Sequence, residues 1–225
     1  NYFFERIKKM VATGIDGIWA DVPIYADFGG TKWSGMNPEA VARFESDTGY
    51  SAPTAEDWND TSWRRWIHWR HEELARFLKD MTSEARSVNS EFTIIAETLP
   101  TDYNGGTIYG LDASFLKDVE GLTQVYEVDT MSNNVGMRNA QTDDWISFIS
   151  ALKYARGSTG DKPSWTFTYG KQADDAQQVM AQAMIAGNNP YELQVPEMAT
   201  TVGDAFRSRM FNWSKFNAPY LFEAD

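Results

Sequence analysis

The chain reads as an α/β fold in which helices cover a parallel sheet, and three observations carry that reading. Short runs rich in β-branched and aromatic residues, such as FTIIAE at 92–97, alternate five times with longer segments of helical periodicity. The 225 residues are 42% hydrophobic and 14% aromatic, enough to bury a full-sized core. No glycine-rich phosphate loop follows any of the strand-like runs; the Gly pairs at 29–30 and 105–106 fall in long loops without GxGxxG or Walker spacing. The nucleotide-binding, doubly wound form of the class is thereby weakened, and the barrel form remains.

Taken in order, residues 2–12 place Phe3, Phe4, Ile7, Met10 and Val11 at helical spacing, with Gly14 as the closing residue. A strand is predicted over 15–21 and stops on Asp21. NPEAVARFESDTG is a helix with Asn37 as N-cap, Pro38 at its first position and Gly49 at its end. The stretch from Thr61 to Val88 gives a long helix with Trp63, Trp66, Ile67, Leu74, Phe77, Leu78 and Met81 on one broad face.

FTIIAETLP is the second strand, ending on Glu97 and broken by Pro100. A short helical piece is expected at 112–121, a third strand at 123–130, a helix at 142–156, a fourth strand at 164–170, a helix at 174–187, a fifth strand at 189–195 and a last amphipathic helix at 201–217. No repeat of fixed period and no low-complexity tract interrupts this order. Five β/α units behind a leading helix predict one domain over 1–225, forming the later part of a (β/α)8 TIM barrel. On this reading the first three units are further segments of the same polypeptide, N-terminal to Asn1.

Composition narrows the partners. A formal net charge of -12 argues against nucleic acid or an anionic membrane surface as the main partner. It suits a secreted or salt-tolerant protein, so an extracellular or cell-surface location is expected. No apolar stretch approaches the roughly 20 residues of a membrane span, so no membrane insertion is expected. There are no cysteines, which excludes disulfides and thiolate chemistry, and only two histidines, His68 and His71, which argues against a zinc site. These two lie on the long helix without HExxH spacing and read as structural or surface groups. The Trp63, Trp66 and Trp69 set reads as helix packing.

In a barrel the reacting groups gather at the C-terminal ends of the strands and in the loops after them. Three of the five strands end in acid: Asp21, Glu97, and the pair Glu127 and Asp129. Period-two alternation puts Gly17, Trp19 and Asp21 on one face, and Thr93, Ile95 and Glu97 on one face. Two facing carboxyl groups are the minimal equipment for glycosidic cleavage: one protonates the leaving oxygen, the other attacks the sugar carbon or activates water. Asp21 is expected to be the nucleophile and Glu97 the acid/base, with Asp129 as a further catalytic candidate. Trp19, Tyr25, Trp33, Tyr103, Glu127 and Tyr169 are the expected substrate-binding residues, since flat rings suit the apolar faces of sugars. Phe28 and Tyr109 belong to the same set of loop aromatics, and Asn104, Asn133, Asn134, Arg138 and Lys171 offer hydrogen bonds to hydroxyls. No metal or organic cofactor is called for.

GIDGIWADVPIY, then NPEAVARFESDTGY, then SWRRWIHWRHEELARFLKDMTSEARSVNSEFTIIAE, resembles the middle of barrel glycoside hydrolases of the β-galactosidase and glycosyl-hydrolase-like kind. MAQAMIAGNNPYELQVPEM followed by FRSRMFNWSKFNAPYLF is similar to their final β/α unit. The resemblance implies a glycosidase acting on an oligo- or polysaccharide, with a retaining outcome if the carboxyls stand roughly 5–5.5 Å apart and an inverting one at roughly 6.5–9.5 Å. The β-galactosidase-like pattern, an Asn-Glu pair on its fourth strand, is replaced here by Ala20-Asp21, and SWTFTYG carries no acid. An α-amylase-like arrangement matches Asp21 and Glu97, although Trp19 stands where its arginine would. An α-galactosidase-like one selects Asp21 and Asp129. Two other readings stay open: a barrel that binds carbohydrate without cleaving it, as a surface or scaffold domain, and a doubly wound open sheet whose strand-end acids do not converge.

Overall fold

The computed structural model describes residues 2–21, 23–25, 34–98, 110, 113–127, 142–167, 180–190 and 196–221. The described chain is a mixed α/β structure with a five-stranded parallel sheet in the order β1-β2-β3-β4-β5, from Gly17–Ala20 (β1), Thr93–Thr98 (β2), Leu122–Glu127 (β3), Trp165–Phe167 (β4) and Asn189–Pro190 (β5). By its internal contacts the chain falls into two compact units, Asn1–Leu122 and Thr123–Asp225.

In the first unit, α1 (Tyr2–Val11) buries only Ile7 and Val11; Phe3 and Met10, placed on the same face by periodicity, are exposed. The turn after it closes with the Gly14 N–H on the Val11 carbonyl at 3.0 Å. β1 is shorter than the expected 15–21, because its extent is set by pairing with β2: Gly17 opposite Thr93, Ile18 opposite Ile94, Trp19 opposite Ile95 and Ala20 opposite Ala96. Asp21 is the first residue beyond that pairing.

The second helix, α2 (Pro38–Thr48), has the boundaries its local chemistry dictates. Asn37 Oδ1 accepts from the Ala40 N–H at 2.9 Å, Pro38 occupies the first turn, and Gly49 ends the helix in the left-handed region. α3 (Thr61–Arg86) follows, capped by Asp60, whose side chain accepts from the Ser62 N–H at 2.9 Å.

Two clusters share the length of α3. Towards its start, Trp63, Trp66, Ile67 and Trp69 bury themselves against Phe44 of α2, with Trp66 and Trp69 edge-on to the Phe44 ring at 5.0 and 5.5 Å. Further along, Leu74, Leu78, Met81 and Ala85 pack with Ile7, Val11, Ile94 and Ala96, joined by Ile18 and Ala20. The even-numbered face of β1 and β2 is therefore the helix-covered one, and alternation turns Trp19, Ile95 and Glu97 to the other face. Phe77, expected on the buried stripe, is exposed, stacked with Phe4 at 5.9 Å. Where a helical piece was expected at 112–121, a 3-10 turn covers only Ala113–Phe115.

In the second unit, β3 and β4 pair in the register Val125 to Trp165, Tyr126 to Thr166 and Glu127 to Phe167, and β4 pairs with β5 through Trp165 to Asn189. α4 (Thr142–Ser158) and a helical stretch at 180–185 (α5) close on a small core of Ala151, Leu152, Ala183 and Ala186. Two buried polar side chains there bond in a chain: Ser164 Oγ donates to Asn188 Oδ1 at 2.5 Å, and Asn188 Nδ2 donates to the Leu152 carbonyl at 2.9 Å. A 3-10 turn at Pro196–Ala199 leads into α6 (Thr201–Leu221), which extends past the predicted 217 and buries Phe206 and Met210.

Candidate active site at the strand ends

Glu97 is the best-defined strand-end acid. It is the next-to-last residue of β2 and is only 4% exposed. The indole of Trp19 reaches across from β1 and donates Nε1–H to Glu97 Oε2 at 2.7 Å. Both residues stand on the face away from α1 and α3, so the contact joins two neighbouring strands on the side opposite those helices. The contact is short, and the burial of the carboxyl raises the cost of any misalignment. Trp19, an expected sugar contact, thus also holds the carboxyl of Glu97.

Asp21 follows β1 directly and is exposed. Asp21 is the first residue past the last β1–β2 pair, Ala20 with Ala96, as Glu97 is the first past it on β2. Asp21 also borders a cavity of about 470 Å³ along α1 and α3, whose apolar lining includes Phe3, Ile7, Ile18, Phe77 and Met81.

Tyr25 is half-buried against α3. The Arg70 guanidinium lies over its ring, 4.8 Å from the centroid, and Arg70 Nη2 donates to the Tyr25 carbonyl at 3.3 Å. Burial raises the Tyr25 phenol above its ordinary value, and burial pulls Arg70 down to about 10. A second cavity, of about 500 Å³, opens beside Tyr25 between Arg43, Glu73, Arg76 and Phe77. Glu73 is clasped there by Arg43 at 3.1 Å and by Arg76. Burial nevertheless wins over both cations and shifts the Glu73 carboxyl upward.

Arg70 is the residue that sequence reasoning passed over. Its signal was present: position 70 falls on the apolar stripe running from Trp63 through Trp66 and Ile67 to Leu74, where a charge is out of place. The two histidines have the structural roles expected of them. His68 pairs with Glu72 at 3.1 Å, and buried His71 meets the edge of Phe115. Trp63, Trp66 and Trp69 are core, as their spacing implied.

Glu127 ends β3 opposite Phe167. Asp129, Trp33, Tyr103 and Tyr169 lie outside the described residues, as do Phe28, Asn104, Tyr109, Asn133, Asn134, Arg138 and Lys171. Among the described residues no cluster of three or more potential ligands is arranged for a metal ion, and no helix is long and apolar enough to cross a membrane.

No family model and no curated protein matches the chain. Among solved structures, it is similar to the catalytic domain of β-amylase from Paenibacillus polymyxa, with a TM-score of 0.58 and 11% identity. The match covers 94% of this chain and 66% of that one, so the chain spans slightly less than two thirds of that structure. At this identity the likeness is one of fold: the chain shares the α/β, parallel-sheet character of a glycoside-hydrolase catalytic domain.

Proposed function

We propose that the chain is part of a (β/α)8-barrel glycoside hydrolase that cleaves O-glycosidic bonds in an oligo- or polysaccharide outside the cell. The observation that carries the reading is the buried Glu97 carboxyl near the C-terminal end of a parallel strand, gripped by Trp19 on the face opposite α1 and α3. Strand ends of this kind are where barrel enzymes assemble their chemistry. The fold likeness to a β-amylase catalytic domain supports the same class.

In this mechanism Glu97 is the general acid/base that protonates the leaving oxygen, and Asp21, one register step past the last β1–β2 pair, is the nucleophile. Adjacent positions on neighbouring strands favour the closer carboxyl spacing and therefore retention. Glu127 and Asp129 remain the alternative acids, and the exposure of Asp21 gives them weight. Trp19 orients Glu97 from the side and limits the rotamers open to it.

Turnover on a panel of polysaccharides that includes soluble starch, followed by reducing-sugar release, tests the reading. Glu97→Gln is expected to lose roughly 10²–10⁴-fold in kcat with its fold intact. Asp21→Asn and Asp129→Asn, run beside it, identify the partner. Wild-type-like turnover by Glu97→Gln removes that residue from the chemistry. Tight glycan binding without any release of reducing ends would replace the enzyme by the carbohydrate-binding alternative.

A further inference from the structure

We infer that Tyr25 is a keystone tying the connection after β1 to the connection after β2, which makes it a positioning residue for the strand-end carboxylates rather than a sugar platform. The consequence for activity rests on the glycosidase reading above; the tie itself does not. Three separate parts of the chain close on the one ring. On one edge lies Gly35, where a methyl group would stand 2.9 Å from Cδ1. On the opposite edge lies Gly110, where a methyl group would stand 2.6 Å from Cδ2. Over the face lies Arg70, which also donates to the Tyr25 backbone carbonyl.

The two glycines are required twice over. Both have φ near +87°, at +87° for Gly35 and +86° for Gly110, a backbone region that other residues seldom adopt. Both also lack the side chain that would strike the ring. Such a double constraint at positions 10 and 85 residues away from Tyr25 in sequence marks the ring as the common contact of both connections.

The placement matters for the site. Gly35 closes the path from β1 into α2, and Gly110 stands on the return from β2 to the 3-10 turn at Ala113–Phe115. These paths leave the strands that carry Trp19 and Glu97. Arg70 then fastens the ring to α3, the longest rigid element of the first unit. A displaced ring would release both connections together. The phenol stays protonated at working pH, since burial raises it, so the ring and not its charge is what the clamp uses.

Tyr25→Phe, Tyr25→Leu, Gly35→Ala and Gly110→Ala test this, read by amide hydrogen exchange and by steady-state kinetics on 4-nitrophenyl maltopentaoside and the polysaccharide panel. Tyr25→Phe keeps the ring and is expected to stay within about twofold of wild type in every reading. Tyr25→Leu is expected to speed exchange about tenfold or more at both 34–36 and 113–116, and to lower kcat about tenfold with KM changed less than threefold. Gly110→Ala is expected to do the same at 34–36, although the substituted residue is remote in sequence, and Gly35→Ala the same at 113–116. Exchange that rises only beside the substituted glycine overturns the tie. Wild-type kcat in Tyr25→Leu, with exchange raised at both places, overturns the positioning role. A wild-type protein inert on every glycan, with exchange still coupled, leaves the tie standing and removes the glycosidase reading instead.

Discussion

Replacing Trp19 by Phe removes one N–H and keeps an aromatic ring in its place. The bond lost is the 2.7 Å contact to Glu97 Oε2, and the acceptor is almost wholly shielded from water. A hydrogen bond contributes about 0.5–1.5 kcal/mol net, and a buried acceptor left without its donor costs about 1–3 kcal/mol. The smaller ring also loses packing, so the single variant overstates the bond. A double-mutant cycle with Trp19→Phe, Glu97→Leu and the pair together cancels that packing loss and isolates the interaction. The coupling is expected at about 1–2 kcal/mol from urea unfolding followed by far-ultraviolet circular dichroism, a signal that does not depend on the indole removed. A coupling below about 0.5 kcal/mol, the usual additivity error, would refute the view that Trp19 holds Glu97.

Asn37→Ala should destabilise by about 1 kcal/mol through loss of the bond to the Ala40 N–H, while Asn37→Asp should hold wild-type stability; thermal unfolding of both checks it. Asp47 sits below the ordinary carboxylate range because the Trp69 indole donates to it at 3.0 Å, with Arg43 adding to the effect. A depressed carboxyl contributes stability that is complete above its unfolded value of about 3.9 and is lost as pH falls through the folded value. Asp47→Asn should therefore flatten the fall of Tm below about pH 4 and leave the shape of the profile near neutrality unchanged.

Local chemistry was the legible part of this fold. Asn37, Pro38 and Gly49 gave the limits of α2 to the residue, because caps act on the backbone beside them. The long α3 and its three tryptophans followed from period alone. Strand limits were read too wide: β1 covers only the four residues that pair with Thr93–Ala96, and an apolar run does not by itself say how far pairing extends. Phe3, Met10 and Phe77 satisfy helical spacing yet face outward, because periodicity locates a stripe without saying what covers it.

The same division runs through the site. Glu97 and Trp19 were each visible as strand-end residues, but their contact spans 78 positions and follows only from the β1–β2 register. Tyr25 looked like a free loop aromatic, as its fate is decided by glycines in two other connections. Arg70 was legible as an anomaly on an apolar stripe, though its partner was not.

The two clusters along α3 give that helix a fixed phase as well as a fixed position. Each residue of a helix advances it by about 100°, so one residue inserted between Trp69 and Leu74 would turn one end against the other by that angle. Either the tryptophan end or the leucine end would then leave its seat, and Arg70, lying at the join, would swing off Tyr25 in the first case. Length is therefore the least negotiable property of this segment: point changes of side chain are absorbed locally, whereas a change in residue count in those few positions is felt at both extremities.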